Sequence, residues 1–249
     1  MMNKCMTQTK ISFTALLEPY KQIIESQLLH NIEHLGGRTV LKEACEYALL
    51  NGGKRFRPAL VLMIARSLGF GVNVSQAAIG IEYFHTASLI VDDLPCMDND
   101  DERRNKPTVH KKYGESVALL STYALIAAGY RCLVDNSKAL IESSHPLAHQ
   151  SDHLCVLALE NATYNTGILG ATGGQLLDLL PPDYSLATLI EIIDKKTVTL
   201  FEISFVFGWI FGGGALSRLP LVKQSAVHFG RAFQIADDLD DREQDSINN

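Results

Sequence analysis

The sequence has little tryptophan, no paired cysteines, no excess of positive charge and no uninterrupted apolar run long enough to span a bilayer. Its five cysteines, Cys5, Cys45, Cys96, Cys132 and Cys155, are scattered without a C-x-x-C pair. Such spacing suggests neither a disulfide framework nor a zinc site, and reduced thiols are the plain expectation. With 28 acidic against 22 basic residues the formal charge is −6, which provides no basic face for neutralising a phosphate backbone, so nucleic acid is not an expected partner. The apolar stretch from Ile11 to Leu17 is short, contains Ser12 and Thr14 and stops at Glu18, so no secretory leader is read. The most apolar segment, residues 198–211, is interrupted by Glu202 and Ser204; it is too short to span a membrane and suits a buried helix. A soluble, cytoplasmic protein without stable membrane insertion is the expectation, acting on small molecules.

The 249 residues, 47% of them hydrophobic, suffice for one large core, and a single domain over 1–249 is the favoured organisation. Apolar residues recur at helical spacing: Leu41, Ala44, Cys45, Ala48 and Leu49 form one stripe, and Ile79, Tyr83, Ala87 and Ile90 another. No alternating β-branched run stands out. Glycines cluster at expected helix junctions, at 36–37, 52–53, 69–71, 173–174 and 212–214. An all-α fold follows. Residues 136–152, rich in Ser, His and Gln with a Pro, read as a polar connection.

Two carboxylate clusters interrupt this apolar background. The first is Asp92-Asp93-Leu-Pro-Cys-Met-Asp98, where Pro95 predicts a helix end just after the aspartates. A helix C-terminus disfavours a carboxylate unless a cation sits nearby, and the turn at Pro95 can return Asp98 toward the pair. Magnesium suits such oxygen donors, taking one or two carboxylates and leaving its other positions to water and phosphates. The second is Asp237-Asp238-Leu-Asp-Asp241, in which Gln234, Asp237, Asp238 and Asp241 share one helical face. A solvated acidic surface is the bland alternative for either cluster alone. A calcium loop starting at Asp98 fails, because Arg103 would stand where Gly is needed and Val109 where Glu is needed.

Cations accompany the acids. Arg103, Arg104 and Lys106 follow the first cluster directly, and Gly52-Gly53-Lys54-Arg55-Phe-Arg57-Pro58 places three more beside glycines that permit close backbone approach. The second segment could hold a diphosphate without metal, or could be no more than a charged helix start. It lacks the P-loop spacing.

Taken together, GGKRFRP at 52–58, EYFHTASLIVDD at 82–93, DDLPCMDNDDERRNKPT at 92–108, GGQLLD at 173–178, Lys196-Thr197 and FQIADDLDD at 233–241 resemble, in order, the motifs of the trans-isoprenyl diphosphate synthases. The likeness is greatest to the geranylgeranyl diphosphate synthases. The resemblance implies an all-helical bundle around a deep cavity, a homodimer, and a prenyltransferase that joins isopentenyl diphosphate to an allylic diphosphate. It implies that Asp92, Asp93, Asp98, Asp237, Asp238 and Asp241 hold up to three magnesium ions. Arg103 and Lys196 would touch the allylic diphosphate. Lys54, Arg57, His85 and Arg104 would hold isopentenyl diphosphate, with Thr197, Gln175 and Gln234 supporting the reacting region. Small residues at Ala87 and Ser88, five and four before Asp92, imply an open cavity level and a twenty-carbon product, with farnesyl diphosphate the alternative if Phe84 or a neighbouring helix supplies a floor.

Two departures from the family pattern stand out: Asn105 where Gly is usual, and Ser121-Thr122-Tyr123-Ala124-Leu125 where an Asp-Ala-Leu stretch is common. The family also continues past the second Asp motif with a further lysine and more helix, whereas this sequence ends at Asn249. A terpene cyclase would share the first acidic cluster but has no use for GGKRFRP. A non-catalytic subunit would be expected to lack some of the acids or cations that are present here.

Overall fold

The computed structural model describes residues 13–248, with side chains through residue 239; Cys5 and the side chain of Asp241 lie outside the described residues. The helices run α1 (Phe13–Glu33), α2 (Val40–Leu49), α3 (Phe56–Leu68), α4 (Ser75–Asp92), α5 (Val109–Tyr113), α6 (Glu115–Glu142), α7 (Ser151–Thr166), α8 (Ala171–Leu179), α9 (Leu186–Ile193), α10 (Thr199–Phe211) and α11 (Leu219–Asn248). The expected all-α fold is observed. One hairpin is added to it, β1 (Glu102–Arg103) antiparallel to β2 (Lys106–Pro107), whose two-residue strands carry no alternation for a sequence pattern to reveal.

Helix α4 is the axis of the bundle. Residues 77–84 are buried without interruption, as expected of a helix that is apolar on all sides, and α1, α2, α3, α6 and α10 all pack against it. The 198–211 segment is the buried helix its composition suggests, α10. Among the described residues, the helix with the length and apolarity to cross a membrane is instead α6; here it lies along α4, α2 and α7.

Residues 136–152 are not the polar connection expected from composition. Residues 136–142 complete α6, a 3-10 turn follows at Pro146–Gln150, and α7 starts at Ser151. Their polar groups are interior ties: Asn136 Oδ1 accepts the Ala77 amide at 3.2 Å, and the Ser137 and Ser151 hydroxyls each donate to the other's carbonyl, at 3.0 and 2.7 Å. The 173–174 glycines also depart from expectation, since they lie inside α8. A Cβ on Gly174 would stand 2.6 Å from Lys195 Cβ, so this helix packs backbone-close against the segment that carries Lys196.

The loop before α3 is fixed by a buried charge. Arg55 is 3% exposed and adopts a left-handed conformation, φ 50°. Its guanidinium donates to Glu82 of α4, to the Leu49 carbonyl of α2 at 2.5 Å, and to Glu25 of α1 at 2.7 Å. Burial raises the Glu82 carboxyl above its ordinary range, with Arg55 opposing; burial also works against charge on Arg55, but Glu82 and Glu25 outweigh it and hold Arg55 protonated. Three helices therefore converge on one side chain. Removing one member of such a pair strands the other charge in the interior at about 3–5 kcal/mol, whereas an exposed pair is worth less than about 1 kcal/mol. Glu82→Ala is expected to lower the urea midpoint severely and Glu43→Ala, which removes the exposed partner of Arg38, to leave it nearly unchanged. Equal midpoints for the two variants would show that the buried pair does not hold the loop.

Candidate active site

Pro95 acts as anticipated. Helix α4 ends at Asp92, and the chain doubles back so that the Asp98 amide donates to the Asp92 carbonyl at 2.9 Å. The two adjacent aspartates then diverge, because successive helical positions point about 100° apart. Asp92 faces a cavity. Asp93 is 3% exposed and receives the Arg103 guanidinium, with Nε at 2.8 and 3.0 Å and Nη2 at 2.5 Å. Burial is the main cause that raises the Asp92 carboxyl to about 6; Lys196 opposes the rise, while Asp98 and Asp93 add to it.

The cavity that Asp92 faces measures about 620 Å³, within the usual range for small-molecule sites. Asp92 and Lys196 are its charged groups, joined by Gln175 and the hydroxyls of Thr122, Thr166 and Thr172; Ala87, Ser88 and Val91 of α4 line one wall. The opposite walls come from Thr122, Tyr123 and Ile126 of α6 and from Leu176 and Leu179 of α8. Phe84, three residues before Ala87, also lines it. Its ring occupies the space that a side chain at Gly129 would need, 2.6 Å from an ideal Cβ, and packs on Tyr130 at 5.0 Å between ring centroids. The Tyr130 hydroxyl lies 3.1 Å from Thr166 Oγ1.

A second hollow, also about 620 Å³, lies on the other side of the α4 terminus and is polar. Lys54, Arg57, Arg103 and Arg104 line it together with His85, Gln234 and Asp237. Arg55 and Glu82 also border the hollow, but the Arg55 guanidinium is committed to Glu82 and Glu25 and its side chain is 1% exposed. The Arg57 guanidinium lies 4.6 Å over the Phe201 ring and 3.4 Å from His85 Nε2. Burial lowers Arg57 to about 10, still protonated at neutral pH. Burial and the neighbouring cations, Arg57 first among them, hold His85 well below its ordinary value, so the ring is neutral and Nε2 can accept from Arg57.

The second acidic motif reaches this hollow through aromatic packing. Phe229 and Phe233 of α11 pack on Phe201 at 5.3 and 4.9 Å, and Phe233 stacks on Phe56 at 5.5 Å. That seating sets the helical phase, turning Gln234 and Asp237 toward α3 and α10. Thr197 donates to Gln234 Oε1 at 2.7 Å, Gln234 donates to Asp238 at 2.7 Å, and Lys54 Nζ stands 4.0 Å from Asp237. Lys196 and Thr197 belong to a π-helical turn, Asp194–Val198, a form often found at functional positions. Lys196 Nζ contacts Asp178 of α8 at 2.5 Å, and Arg231 of α11 pairs with Asp194 through two contacts of 2.7 and 2.6 Å.

Among the described residues, no three carboxylate, histidine or cysteine side chains converge into a metal cage. The donors present, Asp92 and Asp98 on one side and Asp237 and Asp238 on the other, fit a hard divalent cation whose remaining ligands are phosphate oxygens and water. The raised Asp92 carboxyl, desolvated and beside two other acids, is the group such a cation would stabilise most directly. Glu82, Asp178, Thr122 and Tyr123 went unassigned by sequence reasoning. An acid inside the fully apolar α4 pattern was the available signal for Glu82; Thr122 and Tyr123 lie in the 121–125 segment already noted as a departure.

Comparison with known proteins places this geometry. The chain is 39% identical over 212 residues to geranylgeranyl pyrophosphate synthase 4 of Arabidopsis thaliana, covering 83% of this chain and 54% of the plant protein. It is 33% identical over 236 residues to a trans-prenyltransferase of African swine fever virus, covering 92% of this chain and 69% of the viral protein. Among solved structures, an FPP/GFPP synthase from Zymomonas mobilis superposes with a TM-score of 0.78 at 33% identity, covering 92% of this chain and 83% of the bacterial one. A geranyltransferase from Legionella pneumophila superposes with a TM-score of 0.75 at 29% identity, over 91% and 80% of the two chains. The chain thus spans about half the length of its plant relative and most of the length of the bacterial folds. The family pattern described as polyprenyl synthetase runs from residue 38 to residue 248, through both hollows and both acidic motifs, and the chain belongs to that family.

Proposed function

We propose that the chain is a magnesium-dependent trans-prenyltransferase that condenses isopentenyl diphosphate with a dimethylallyl, geranyl or farnesyl diphosphate, with geranylgeranyl diphosphate as its main product. The observation that carries this reading is the pair of hollows flanking the α4 terminus, one apolar with Asp92 and Lys196 among its lining residues and the other lined by Lys54, Arg57, Arg103 and Arg104. One suits a lipid tail with its diphosphate at the acids, and the other suits a diphosphate held by cations.

Magnesium bound by Asp92, Asp98, Asp237 and Asp238, with Asp241 as a further donor, would neutralise charge on the departing pyrophosphate. Lys196 in the cavity, and Arg103, which lines the polar hollow and reaches the acids through Asp93, add fixed positive charge on either side of the α4 terminus, so the allylic carbon–oxygen bond ionises toward a carbocation. The apolar walls at Ala87, Val91 and Ile126 exclude water that would quench it. Arg57, Lys54 and Arg104 hold the second diphosphate; its double bond attacks the cation, a carbon–carbon bond forms, and the proton lost afterwards goes to the released pyrophosphate. Asp93, saturated by Arg103, is a positioning group in this arrangement and comes to a metal only if that ion pair opens. A homodimer is part of the same reading, supported by the exposed Leu120 of α6 and Val156 and Tyr164 of α7, none of which lines the cavity.

Incubation with magnesium, isopentenyl diphosphate and each allylic primer, followed by chromatography, tests the proposal; the absence of any condensed product in every combination would overturn it. Asp92→Ala and Asp237→Ala are each expected to lower turnover by about a hundredfold or more, the loss expected when several kcal/mol of charge stabilisation is removed. Near-normal turnover in either variant, or full activity with excess chelator, would contradict the metal assignment.

Steady-state kinetics with one substrate varied at a time separates the two hollows. Arg57→Ala is expected to raise mainly the KM for isopentenyl diphosphate and Arg103→Ala mainly that for the allylic substrate. Equal effects of both changes on both substrates would remove the two-site picture.

Product length is set along α4. Ala87 lies about 7.5 Å and Phe84 about 12 Å before Asp92 along the helix axis, so Ala87 leaves its level open and Phe84 stands one turn deeper. Ala87→Tyr is expected to shift the main product from twenty to fifteen carbons without loss of metal dependence. A wild type that already stops at fifteen carbons would place the floor at Phe84, the arrangement that favours farnesyl diphosphate.

A further inference from the structure

The two cationic segments, 52–57 and 102–107, touch each other at a joint that none of the site residues named above explains. Asn51 Nδ2 donates to the Arg103 carbonyl at 3.0 Å, and Arg104 Nη1 donates to the Gly52 carbonyl. The Arg104 guanidinium lies flat on Gly53, its carbon and both terminal nitrogens 2.9 Å from where a Cβ would be. Gly53 therefore has two reasons to be glycine, this approach and its φ of 128°.

The hairpin itself is conformationally costly. Between β1 and β2 the two loop residues are Arg104 at φ 55° and Asn105 at φ 60°, the pattern of a type I′ turn, which favours Asn and Gly. Asn105 tolerates the left-handed region well, so its replacement of the family's usual Gly is accommodated. Arg104 does not share that tolerance, because its Cβ crowds the following carbonyl in the left-handed region. An arginine at the turn tip stays there only if its surroundings hold it. The surroundings in question are Asn51, Gly52 and Gly53.

We propose that the Asn51-Gly52-Gly53 turn is the positioning element for the Arg103–Arg104 hairpin, with Asn51 the residue that locks it, so that the cations of the second hollow act as one pre-set anion site. This rests on the proposed function for the identity of the anion, isopentenyl diphosphate. Asn51 holds a backbone carbonyl, Gly52 and Gly53 hold the guanidinium, and together they aim Arg104 into the hollow while Arg103 stays on Asp93. The preorganised hairpin spares the ligand the cost of ordering it on binding.

A double-mutant cycle separates positioning from general support. Asn51→Ala is expected to raise the KM for isopentenyl diphosphate about tenfold, within the range for coupled contact residues, with a smaller change in kcat. The same substitution placed in an Arg104→Ala background is expected to add less than about twofold, because the group it positions is gone. Asn51→Asp, of the same shape but unable to donate to the Arg103 carbonyl, should behave as Asn51→Ala, and thermal denaturation of each variant identifies one that fails to fold. An Asn51 effect equally large with and without Arg104, or no effect in a folded variant, would overturn the proposal. Calorimetric binding of inorganic pyrophosphate to the same proteins repeats the cycle without catalysis. Inactive wild type with an intact coupling between Asn51 and Arg104 would count against the enzyme reading alone, whereas active wild type with additive effects would count against the joint alone.

Discussion

The buried Arg55 guanidinium is the interaction on which the site depends. Without it, the segment joining α2 to α3 would have no reason to adopt a left-handed arginine or to lie between α1 and α4. With it, Lys54 and Arg57, the neighbours on either side of the Arg55-Phe56 pair, are carried toward the polar hollow while the charge between them is turned into the interior. A buried ion pair of this kind is poor evidence of stability gained over an apolar alternative. Its use here is geometric: it fixes which of the three cations at 54, 55 and 57 remain available to a ligand.

The same division governs the acids. Asp92 and Asp93 are chemically identical and adjacent, yet the helix turns one toward the apolar cavity and the other toward Arg103. One is left short of positive charge and the other is saturated. Two compartments of opposite character thus meet at the end of one helix, with Lys196 on the cavity side and Arg103 between them. A reaction that must generate a cation against an apolar wall, next to fixed positive charge that receives the leaving anion, needs that contrast.

Much of this was legible in the sequence, for definable reasons. The stripe Ile79, Tyr83, Ala87 and Ile90 is buried as periodicity indicates, Pro95 ends α4, and the spacing of Gln234, Asp237 and Asp238 sets them on one face with Gln234 bonded to Asp238. These features are local, fixed by one helix and its phase. What was not legible depends on residues distant in sequence. The inward turn of Arg55 requires Glu25 and Glu82; residues 136–142 continue α6, with Leu140 buried and Asn136 accepting the Ala77 amide of α4. The hairpin at 102–107 forms because Asn51 and Gly52 hold its tip, and no pattern within six residues reveals that. Thr122 and Tyr123 enter the cavity wall only because α6 passes along α4.

The π-helical turn at 194–198 has a consequence for how this chain can vary. An extra residue in one turn shifts everything after it by roughly 100° relative to an uninterrupted α-helix. Lys196 meets Asp178, Thr197 meets Gln234, and the aromatic face of α10 meets Phe229 and Phe233, all within one continuous rod whose two halves are out of phase. Deleting a single residue there would restore a regular helix and rotate α10 away from α11, separating Phe201 from the rings that seat the second acidic motif. The length of the segment is therefore constrained separately from the identity of its residues, and its register is a shared constraint on three helices at once.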